Sequence, residues 1–490
     1  MGAKTMENKD VLMFKDPSLY NEDLAPVAKE KRNWNWLNYT TVWMGMVHNI
    51  VAYETAGSLL GLGMNVWQAL ATVITANIIL IVVMWLNSSA GAKYGVPFPV
   101  LIRASFGYKG AQLPIIIRAI VAIFWFAVQA YLGSKAVGAV LGTLIPGWDS
   151  LSSIHIIGMG LNDALAVALF WILHAWVISH GMERVKFFEL WAGPLVIVLG
   201  LGLVIWAITV SKGLGPLFAE PSTLTGGAFW TAFGVSVTGL IGTWATLILN
   251  IPDFTRFARS QKDQVIGQAI GLPGTAIIFA VMSIITTSGT VIAFGRPIWD
   301  PVELLQQFGN PIVLFLGAFA LLIATLSVNV AANVVSPAYD LVNLFPKKLN
   351  FVKAGLISIV AAFFVAPWLW YNNSDTIFNV LGAIGGALGP VGGIMIADYY
   401  LVARGKYDLN SFYRKDGLYE YKNGWNIKAL AALALGLIAS FIGLMVPSLK
   451  GLYTYSWFFG IGFGFITYVL LMKSERMPES STENIETTAL

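Results

Sequence analysis

Two pairs of side chains lie four residues apart within long apolar segments of the sequence. The first pair is Trp125 and Gln129, and the second is Asn329 and Asn333. Residues with this spacing share one face of a helix. An indole can stack on a planar ring, while an amide supplies both a hydrogen-bond donor and an acceptor. Because unpaired polar groups are costly in an apolar medium, the two pairs predict a site for a small, flat, neutral molecule.

Each pair also has a purely structural explanation. Trp125 could be an interfacial anchor, and Gln129 could be hydrogen-bonded between helices. The two Asn could join helices that pack through small residues. Asn333 is the better ligand candidate of the two, because it stands near the end of its polar run, just before Ser336.

Gly and polar residues interrupt the first and sixth apolar segments. The first reads Gly45-Met46-Val47-His48-Asn49, and the sixth runs from Gly239 to Trp244. Discontinuous helices at matching places in two halves of a chain indicate a binding site at the membrane midplane. We therefore predict that both segments are broken. His48 is a candidate for proton coupling because histidine titrates near neutrality, and a hydrogen-bonded structural role is the alternative.

Composition places these residues in a membrane. The 490 residues are 57% hydrophobic and only 11% charged, which is under half the charge of an ordinary globular protein. Several segments approach the ~20 apolar residues that a helix needs to cross hydrocarbon. The prediction is an all-α integral membrane protein with twelve transmembrane helices at about 38–60, 66–87, 113–143, 161–180, 187–211, 228–251, 268–295, 310–338, 350–370, 374–402, 425–447 and 450–473.

The distribution of positive charge predicts the orientation. Lys and Arg concentrate in the N-terminal tail (1–37), in the loops after even-numbered spans and in the C-terminal tail (474–490). The loops after odd-numbered spans contain only Lys212, Arg296 and Lys450. By the positive-inside rule, both termini are expected in the cytoplasm of a protein of the inner cell membrane. The net charge of +4 is therefore an orientation signal and does not indicate a nucleic-acid partner.

Several classes of function are excluded by missing residues. The sequence contains no Cys, so disulfides, thiol catalysis and thiolate metal sites are absent. It also lacks a G-x-S-x-G nucleophile motif, a P-loop and an H-E-x-x-H zinc motif. We therefore expect neither an enzyme nor a cofactor, and any transport must be driven by an ion gradient or by the substrate gradient.

Further motifs are distributed along most of the chain. They are Asn21-Glu22-Asp23-Leu24, Tyr94 to Gly107, Gly181-Met182-Glu183, Phe188 to Pro194, Asn250 to Phe257, Asn333 to Tyr339 and Gly389 to Tyr399. From about Asn21 to Lys473, the sequence with these motifs resembles nucleobase:cation symporter family 1, the bacterial and fungal permeases for purines, pyrimidines, hydantoins and allantoin. Within that family it is most similar to bacterial allantoin permeases, and next to a sodium-coupled hydantoin transporter.

The resemblance implies a LeuT-type fold of two inverted repeats of five helices, with helices 1 and 6 broken. The repeats would cover about 38–211 and 228–402, followed by helices 11 and 12 at about 425–473. The substrate would lie between helices 1, 3, 6 and 8. The implied substrate contacts are Trp125 and Trp244 around the ring, with Gln129, Asn333, Thr243 and Asn49 as polar contacts.

The resemblance also implies a sodium site, and the sequence departs from it. The backbone oxygens would come from Gly45, His48 and Ala324, and one hydroxyl would come from Ser327. The position of a second hydroxyl is occupied by Val328, which has no side-chain oxygen. A hard cation would lose one ligand, so sodium coupling is in doubt and His48 is the candidate for proton coupling.

The expected function is uptake of allantoin across the inner membrane by alternating access, with proton coupling. One alternative is a hydantoin or uracil/nucleobase permease with sodium coupling. Another, from a different class, is a transporter-like substrate sensor, although its short tails offer little room for a signalling domain.

Overall fold

The computed structural model describes residues 15–180, 182–371 and 374–473, without the side chains of residues 182–194 and 374–378. Residues 1–14 of the predicted N-terminal tail and the whole predicted C-terminal tail, 474–490, lie outside this part of the chain. So do the side chains of the motif at 181–183 and of Phe188 to Pro194.

The described chain is built almost entirely of α-helices. The first ten are α1 (Trp36–Val47), α2 (Ile50–Gly61), α3 (Val66–Tyr94), α4 (Phe98–Phe106), α5 (Gln112–Leu144), α6 (Leu161–Ser179), α7 (Met182–Val210), α8 (Leu214–Ala219), α9 (Gly226–Asn250) and α10 (Pro252–Thr255). The next ten are α11 (Gln261–Ala269), α12 (Thr275–Phe294), α13 (Pro301–Gln307), α14 (Pro311–Asn333), α15 (Val335–Leu344), α16 (Phe351–Phe363), α17 (Ser374–Ala397), α18 (Ile427–Met445), α19 (Lys450–Tyr453) and α20 (Ser456–Met472). A short antiparallel hairpin joins β1 (His155–Ile156) to β2 (Met159–Gly160).

Fewer helices of the described chain pass as membrane spans by length and composition than the twelve predicted. Nine helical segments of the described chain are long and apolar enough, or ten if the bent pair Pro447–Tyr453 and Ser456–Met472 is one span. The first predicted span is divided into α1 and α2, of twelve residues each. In α7, side chains are described only beyond residue 194, and Leu195–Val210 is apolar. The chain is therefore a multi-pass membrane protein.

The break predicted in the first span is present. Helix α1 ends at Val47, and α2 begins at Ile50. His48 and Asn49 join them with non-helical backbone angles, φ −82° and ψ 78° at His48 and φ −141° and ψ 166° at Asn49. The side chain of Asn49 caps α2 by accepting a hydrogen bond from the backbone N–H of Ala52 at 3.0 Å.

The break predicted in the sixth span, between Gly239 and Trp244, is not there, because α9 is continuous through it. Gly242 has a packing role instead. A Cβ atom on Gly242 would overlap the carbonyl oxygen of Leu381, so Gly242 lets α9 and α17 pack closely. The hydroxyl of Thr243 donates to the carbonyl of Gly239 at 3.2 Å, as Thr does within an intact helix. The sequence signal was thus one of close packing and not of a break.

Helices α5 and α14 run antiparallel, two contacts set their register, and a third joins α5 to α15. The carbonyl of Phe126 accepts a hydrogen bond from Asn329 at 3.1 Å. Seven residues further along α5, a Cβ atom on Gly133 would lie 2.9 Å from the methyl group of Thr325. In the other direction, Arg118 Nη1 lies 2.9 Å from Asp340 Oδ2 in α15.

Arg118 belongs to a buried polar cluster that joins four helices at one end of the bundle. Arg118 and Asp340 form an ion pair with side-chain exposures of 0% and 1%. Ser336 donates to Asp253 at 3.0 Å and accepts from Asn250, while Asp253 also accepts the backbone N–H of Phe98 at 2.8 Å. We call Asn250, Asp253, Ser336, Arg118 and Asp340 the Arg118 cluster. It fixes the ends of α5, α9, α10 and α15 against one another.

Breaking this ion pair is expected to destabilise the protein. Arg118→Leu leaves Asp340 buried without its counter-ion, which costs about 3–5 kcal/mol. The melting temperature of the purified protein in detergent should fall strongly for Arg118→Leu. The double variant Arg118→Leu/Asp340→Leu should recover much of the loss, since it removes both charges. Equal stability of the wild type and of Arg118→Leu would contradict this account.

Candidate functional site

The two Trp of the predicted site stand at similar heights above the Arg118 cluster. Trp125 is seven residues from Arg118 along α5, or about 10 Å of helix. Trp244 is six residues from Asn250 along α9, or about 9 Å. Helices α5 and α9 are in contact. The fold therefore brings the two indoles to one level of the bundle.

Trp125 and Gln129 carry polar atoms that are buried and have no partner. The indole N–H of Trp125 and the carbonyl Oε1 of Gln129 are both inaccessible to solvent and make no hydrogen bond with any described residue. Such atoms are expensive to leave unsatisfied. The structural alternative, in which Gln129 bonds to a neighbouring helix, is therefore not realised among the described residues. Both groups remain available to a ligand.

Trp244 is half-buried and is supported by a second indole. Its ring lies edge to face with that of Trp43 in α1, with centroids 5.7 Å apart and an interplanar angle of 67°. Such T-shaped pairs are favourable beyond the area that they bury. Trp43 therefore holds the Trp244 ring in place against α1, the helix that ends at the break. Sequence reasoning missed Trp43, although it lies only five residues before His48.

Asn329 and Asn333 have different environments. Asn329 donates to the carbonyl of Phe126 at 3.1 Å and lies 3.1 Å from Nε2 of His174, so the structural alternative applies to this residue. Asn333 makes one hydrogen bond among the described residues, to Oδ1 of Asn329 at 2.9 Å. Its own Oδ1 and second N–H remain for a ligand.

The antiparallel register of α5 and α14 directs Gln129 and Asn333 toward the same level of the bundle. Side chains on a helix lean toward its N-terminus. Gln129 on α5 therefore leans toward the level of Trp125, and Asn333 leans back along α14, as its bond to Asn329 shows. The hydroxyl of Thr243 is occupied as a donor to Gly239, so it can only accept from a ligand.

Asn49 lies at the break, and the backbone of the turn satisfies both ends of its amide. Its amide nitrogen donates to the carbonyls of Met46 at 2.9 Å and Val47 at 3.3 Å. Its amide oxygen accepts from Ala52. Because both ends of this amide are bonded to the chain's own backbone, Asn49 stabilises the turn between α1 and α2 in this conformation.

The same turn frees two backbone carbonyls. In a continuous helix, the carbonyl of Gly45 would accept the N–H of Asn49, and that of His48 would accept the N–H of Ala52. Instead, the N–H of Asn49 donates to Val47 at 3.0 Å, and the N–H of Ala52 donates to the Asn49 side chain. The carbonyl oxygens of Gly45 and His48 thus lack the N–H donors that they would have in a continuous helix. This leaves them free to bind a cation.

The opposite side of the candidate cation site is formed by α14, which contacts α1. The hydroxyl of Ser327 is buried and has no partner among the described residues, which suits a ligand. Ala324 is fully buried, and the buried side chain of Val328 offers no oxygen. The carbonyls of Gly45, His48 and Ala324 and the hydroxyl of Ser327 make only four oxygen ligands, which is a poor set for a hard cation such as sodium. The described residues contain no group of three or more His, Asp or Glu that could hold another metal.

His48 is buried at the break and packs against α12. Its ring lies edge to face with Phe279, with centroids 4.8 Å apart. Its Nδ1 is buried without a hydrogen-bond partner among the described residues. The backbone of Met44, four residues earlier, is nevertheless close enough to interact with this ring, as the structural alternative requires.

Apolar spans around polar and aromatic side chains, with a helix break beside them, are typical of a membrane transporter. The sequence model of the permeases for cytosine/purines, uracil, thiamine and allantoin matches residues 26–460. The chain belongs to this permease family, and family members are transporters and not enzymes.

Individual relatives agree with the family assignment. The chain is 46% identical over 471 residues to the allantoin permease of Bacillus subtilis, covering 96% of each protein. It is 38% identical to the purine-uracil permease of Arabidopsis thaliana, over 86% of this chain and 71% of the plant protein.

A solved structure shows the fold. A nucleobase-cation-symport-1 family transporter, in a closed conformation with bromovinylhydantoin bound, matches with a TM-score of 0.78. That match is 23% identical and covers 93% of this chain and 95% of the other. The protein thus has the LeuT-type transporter fold that the sequence predicted.

Proposed function

We propose that this protein is an uptake permease for allantoin. The observation that carries the proposal is the 46% identity to the Bacillus subtilis allantoin permease over 96% of both chains. At that level of similarity, the arrangement of side chains in the binding site is expected to be shared. The same family includes permeases for uracil and purines, and these heterocycles are the alternatives.

The chemistry of the candidate site supports a neutral ring with alternating N–H and C=O groups. The indoles of Trp125 and Trp244 suit its flat faces, and the amides of Gln129 and Asn333 can both donate and accept at its edges. Carboxylates or ammonium groups could not read such edges without the burial of an unpaired charge.

Transport would follow an alternating-access mechanism. The two proposed repeats, 38–211 and 228–402, would move relative to each other around a site near the midplane. The concentration of Lys and Arg in the two tails and in the loops after even-numbered spans supports cytoplasmic termini in the inner membrane. The coupling ion in this proposal is the proton, since Val328 removes a sodium ligand.

Uptake of radiolabelled allantoin tests this function directly. We expect saturable uptake by cells that express the protein and lack their own permease, and weaker competition by unlabelled hydantoin, uracil and cytosine. Saturable uptake of uracil or hydantoin without any uptake of allantoin would overturn the assigned substrate. A lack of uptake and of binding for the whole panel, with the protein present in the membrane, would overturn the function.

Removing either amide of the candidate site should weaken binding selectively. Gln129→Leu and Asn333→Leu would each leave polar groups of the bound ring unpaired, at about 1–3 kcal/mol. The apparent Michaelis constant for the best substrate should therefore rise by roughly 5-fold to 150-fold. Ser89→Ala in α3 is a control, because its hydroxyl bonds to the carbonyl of Trp85 and to Tyr400 and makes no hydrogen bond to α5 or α14 among the described residues. Unchanged affinity in both Leu variants would show that these amides do not read the substrate.

A further inference from the structure

Three buried side chains form a chain of hydrogen bonds that ends at the candidate site. Nδ1 of His174 in α6 lies 2.7 Å from the carbonyl oxygen of Phe170. Nε2 of His174 lies 3.1 Å from the amide nitrogen of Asn329, and Oδ1 of Asn329 lies 2.9 Å from the amide nitrogen of Asn333. His174 and Asn329 are fully buried, and Asn333 is nearly so.

The partners fix the direction of every bond in this chain. A carbonyl oxygen can only accept, so the ring proton of His174 is on Nδ1, and Nε2 of the neutral ring is an acceptor. Asn329 must then present its NH2 group to Nε2, and the same group donates to the carbonyl of Phe126 at 3.1 Å. Its oxygen is left to accept from Asn333. Neither amide can be turned over without the loss of these bonds.

The His174 ring is also held in place by packing. It lies edge to face with Phe126, with centroids 4.9 Å apart, and with Phe170, with centroids 4.5 Å apart. These two aromatic rings prevent the imidazole from tilting away from Asn329. The acceptor at Nε2 is therefore preorganised.

We propose that Asn329 and His174 are positioning residues that determine which polar atoms Asn333 offers to the substrate. With one N–H committed to Asn329, Asn333 presents its oxygen and its other N–H toward a ligand, which matches an adjacent N–H and C=O on a ring. Without the chain, the Asn333 amide can rotate, and binding must restrict that rotation. This inference rests on the proposed function only because the N–H and C=O groups that Asn333 would contact are those of the proposed substrate.

Two substitutions of nearly equal size separate the hydrogen bond from packing. A Gln at position 174 can place its carbonyl oxygen near the position of Nε2, whereas the shorter Asn reaches only as far as Nδ1. Both remove the imidazole ring, so both should lower thermal stability similarly. We expect His174→Gln to bind allantoin within about 2-fold of the wild type, and His174→Asn to bind about 5-fold more weakly, as loss of one buried hydrogen bond predicts.

A double-mutant cycle identifies the residue through which the chain acts. Binding to the purified protein in detergent would be measured by quenching of Trp fluorescence with allantoin, for Asn329→Leu, Asn333→Leu and the double variant. Asn329→Leu should weaken allantoin binding about 10-fold in the wild-type background. In the Asn333→Leu background, the same substitution should weaken binding by less than about 2-fold. An equal loss in both backgrounds would mean that Asn329 acts through packing, and would overturn the proposal.

The outcome can be separated from that of the proposed function. If the wild type binds uracil or hydantoin and not allantoin, the substrate assignment fails, and the same variants test the positioning role with the ligand that binds. If Asn333→Leu binds too weakly to complete the cycle, the comparison of His174→Gln with His174→Asn decides. Equal affinities in those two variants would overturn the proposal.

Discussion

Trp125→Ala and Trp244→Ala should each abolish uptake while the protein still reaches the membrane. Micromolar binding corresponds to about 8 kcal/mol, and loss of one aromatic wall removes both buried area and about 0.5–1.5 kcal/mol of specific stacking. A total loss near 3 kcal/mol would weaken binding by more than about 100-fold. Uptake of radiolabelled allantoin, with surface protein measured by immunoblot, tests this expectation.

Controls distinguish the binding site from general sensitivity to loss of Trp. Trp67→Ala should transport like the wild type, because Trp67 is 64% exposed on the outside of the bundle. Trp125→Phe and Trp244→Phe should restore part of the activity, since a smaller ring still stacks. Trp43→Ala should have an intermediate effect, because it removes only the support of the Trp244 ring. Wild-type uptake by Trp125→Ala and Trp244→Ala would show that the site lies elsewhere.

The sequence was sufficient to predict most of the fold. Apolar length alone located the helices, and the run Gly45 to Asn49 correctly predicted a break, because Asn49 can cap a new helix. The matching prediction at Gly239 to Trp244 was wrong. Gly is equally suited to a helix break and to close packing of helices, and only the neighbouring backbone of Leu381 distinguishes the two.

Less of the candidate site could be predicted, because hydrogen-bond partners come from distant parts of the chain. The i,i+4 spacing identified Asn329 and Asn333 together, but their different environments depend on Phe126 and His174, which lie at least 155 residues from Asn329. The family resemblance implied that Asn49 contacts the substrate. The structure shows its amide bonded to backbone, an outcome that depends on the local turn and not on residue type.

The coupling ion is expected to be the proton. We predict that uptake is unchanged when sodium is replaced by choline and is suppressed by a protonophore. The buried and unpartnered Nδ1 of His48 can accept a proton at the break, where substrate-dependent movement of α1 and α2 would change its surroundings. His48→Ala should therefore weaken the dependence on the proton gradient.

Other titratable groups provide the comparison for His48. Glu54, six residues further along the chain, is buried and lies close enough to the Lys135 and Asp300 ion pair to interact with it. If protonophore sensitivity survives in His48→Ala and is lost in Glu54→Gln, the proton is carried by Glu54 instead. A steep requirement for sodium in the wild type would contradict proton coupling, and insensitivity to both treatments would mean that transport is uncoupled.

A gain of sodium dependence in Val328→Thr would identify the missing ligand. The turn at His48 already frees the carbonyls of Gly45 and His48, and Ser327 supplies a buried hydroxyl without a partner. A hydroxyl at position 328 would add the oxygen that a hard cation lacks. We expect Val328→Thr to be stimulated by sodium, measured as uptake in sodium relative to choline at constant pH. Val328→Ile is the matched control, since it changes volume without an oxygen and should remain insensitive. The absence of any sodium effect in folded Val328→Thr would mean that the site differs from a sodium site in more than one ligand, because the oxygen set would then be incomplete even with two hydroxyls.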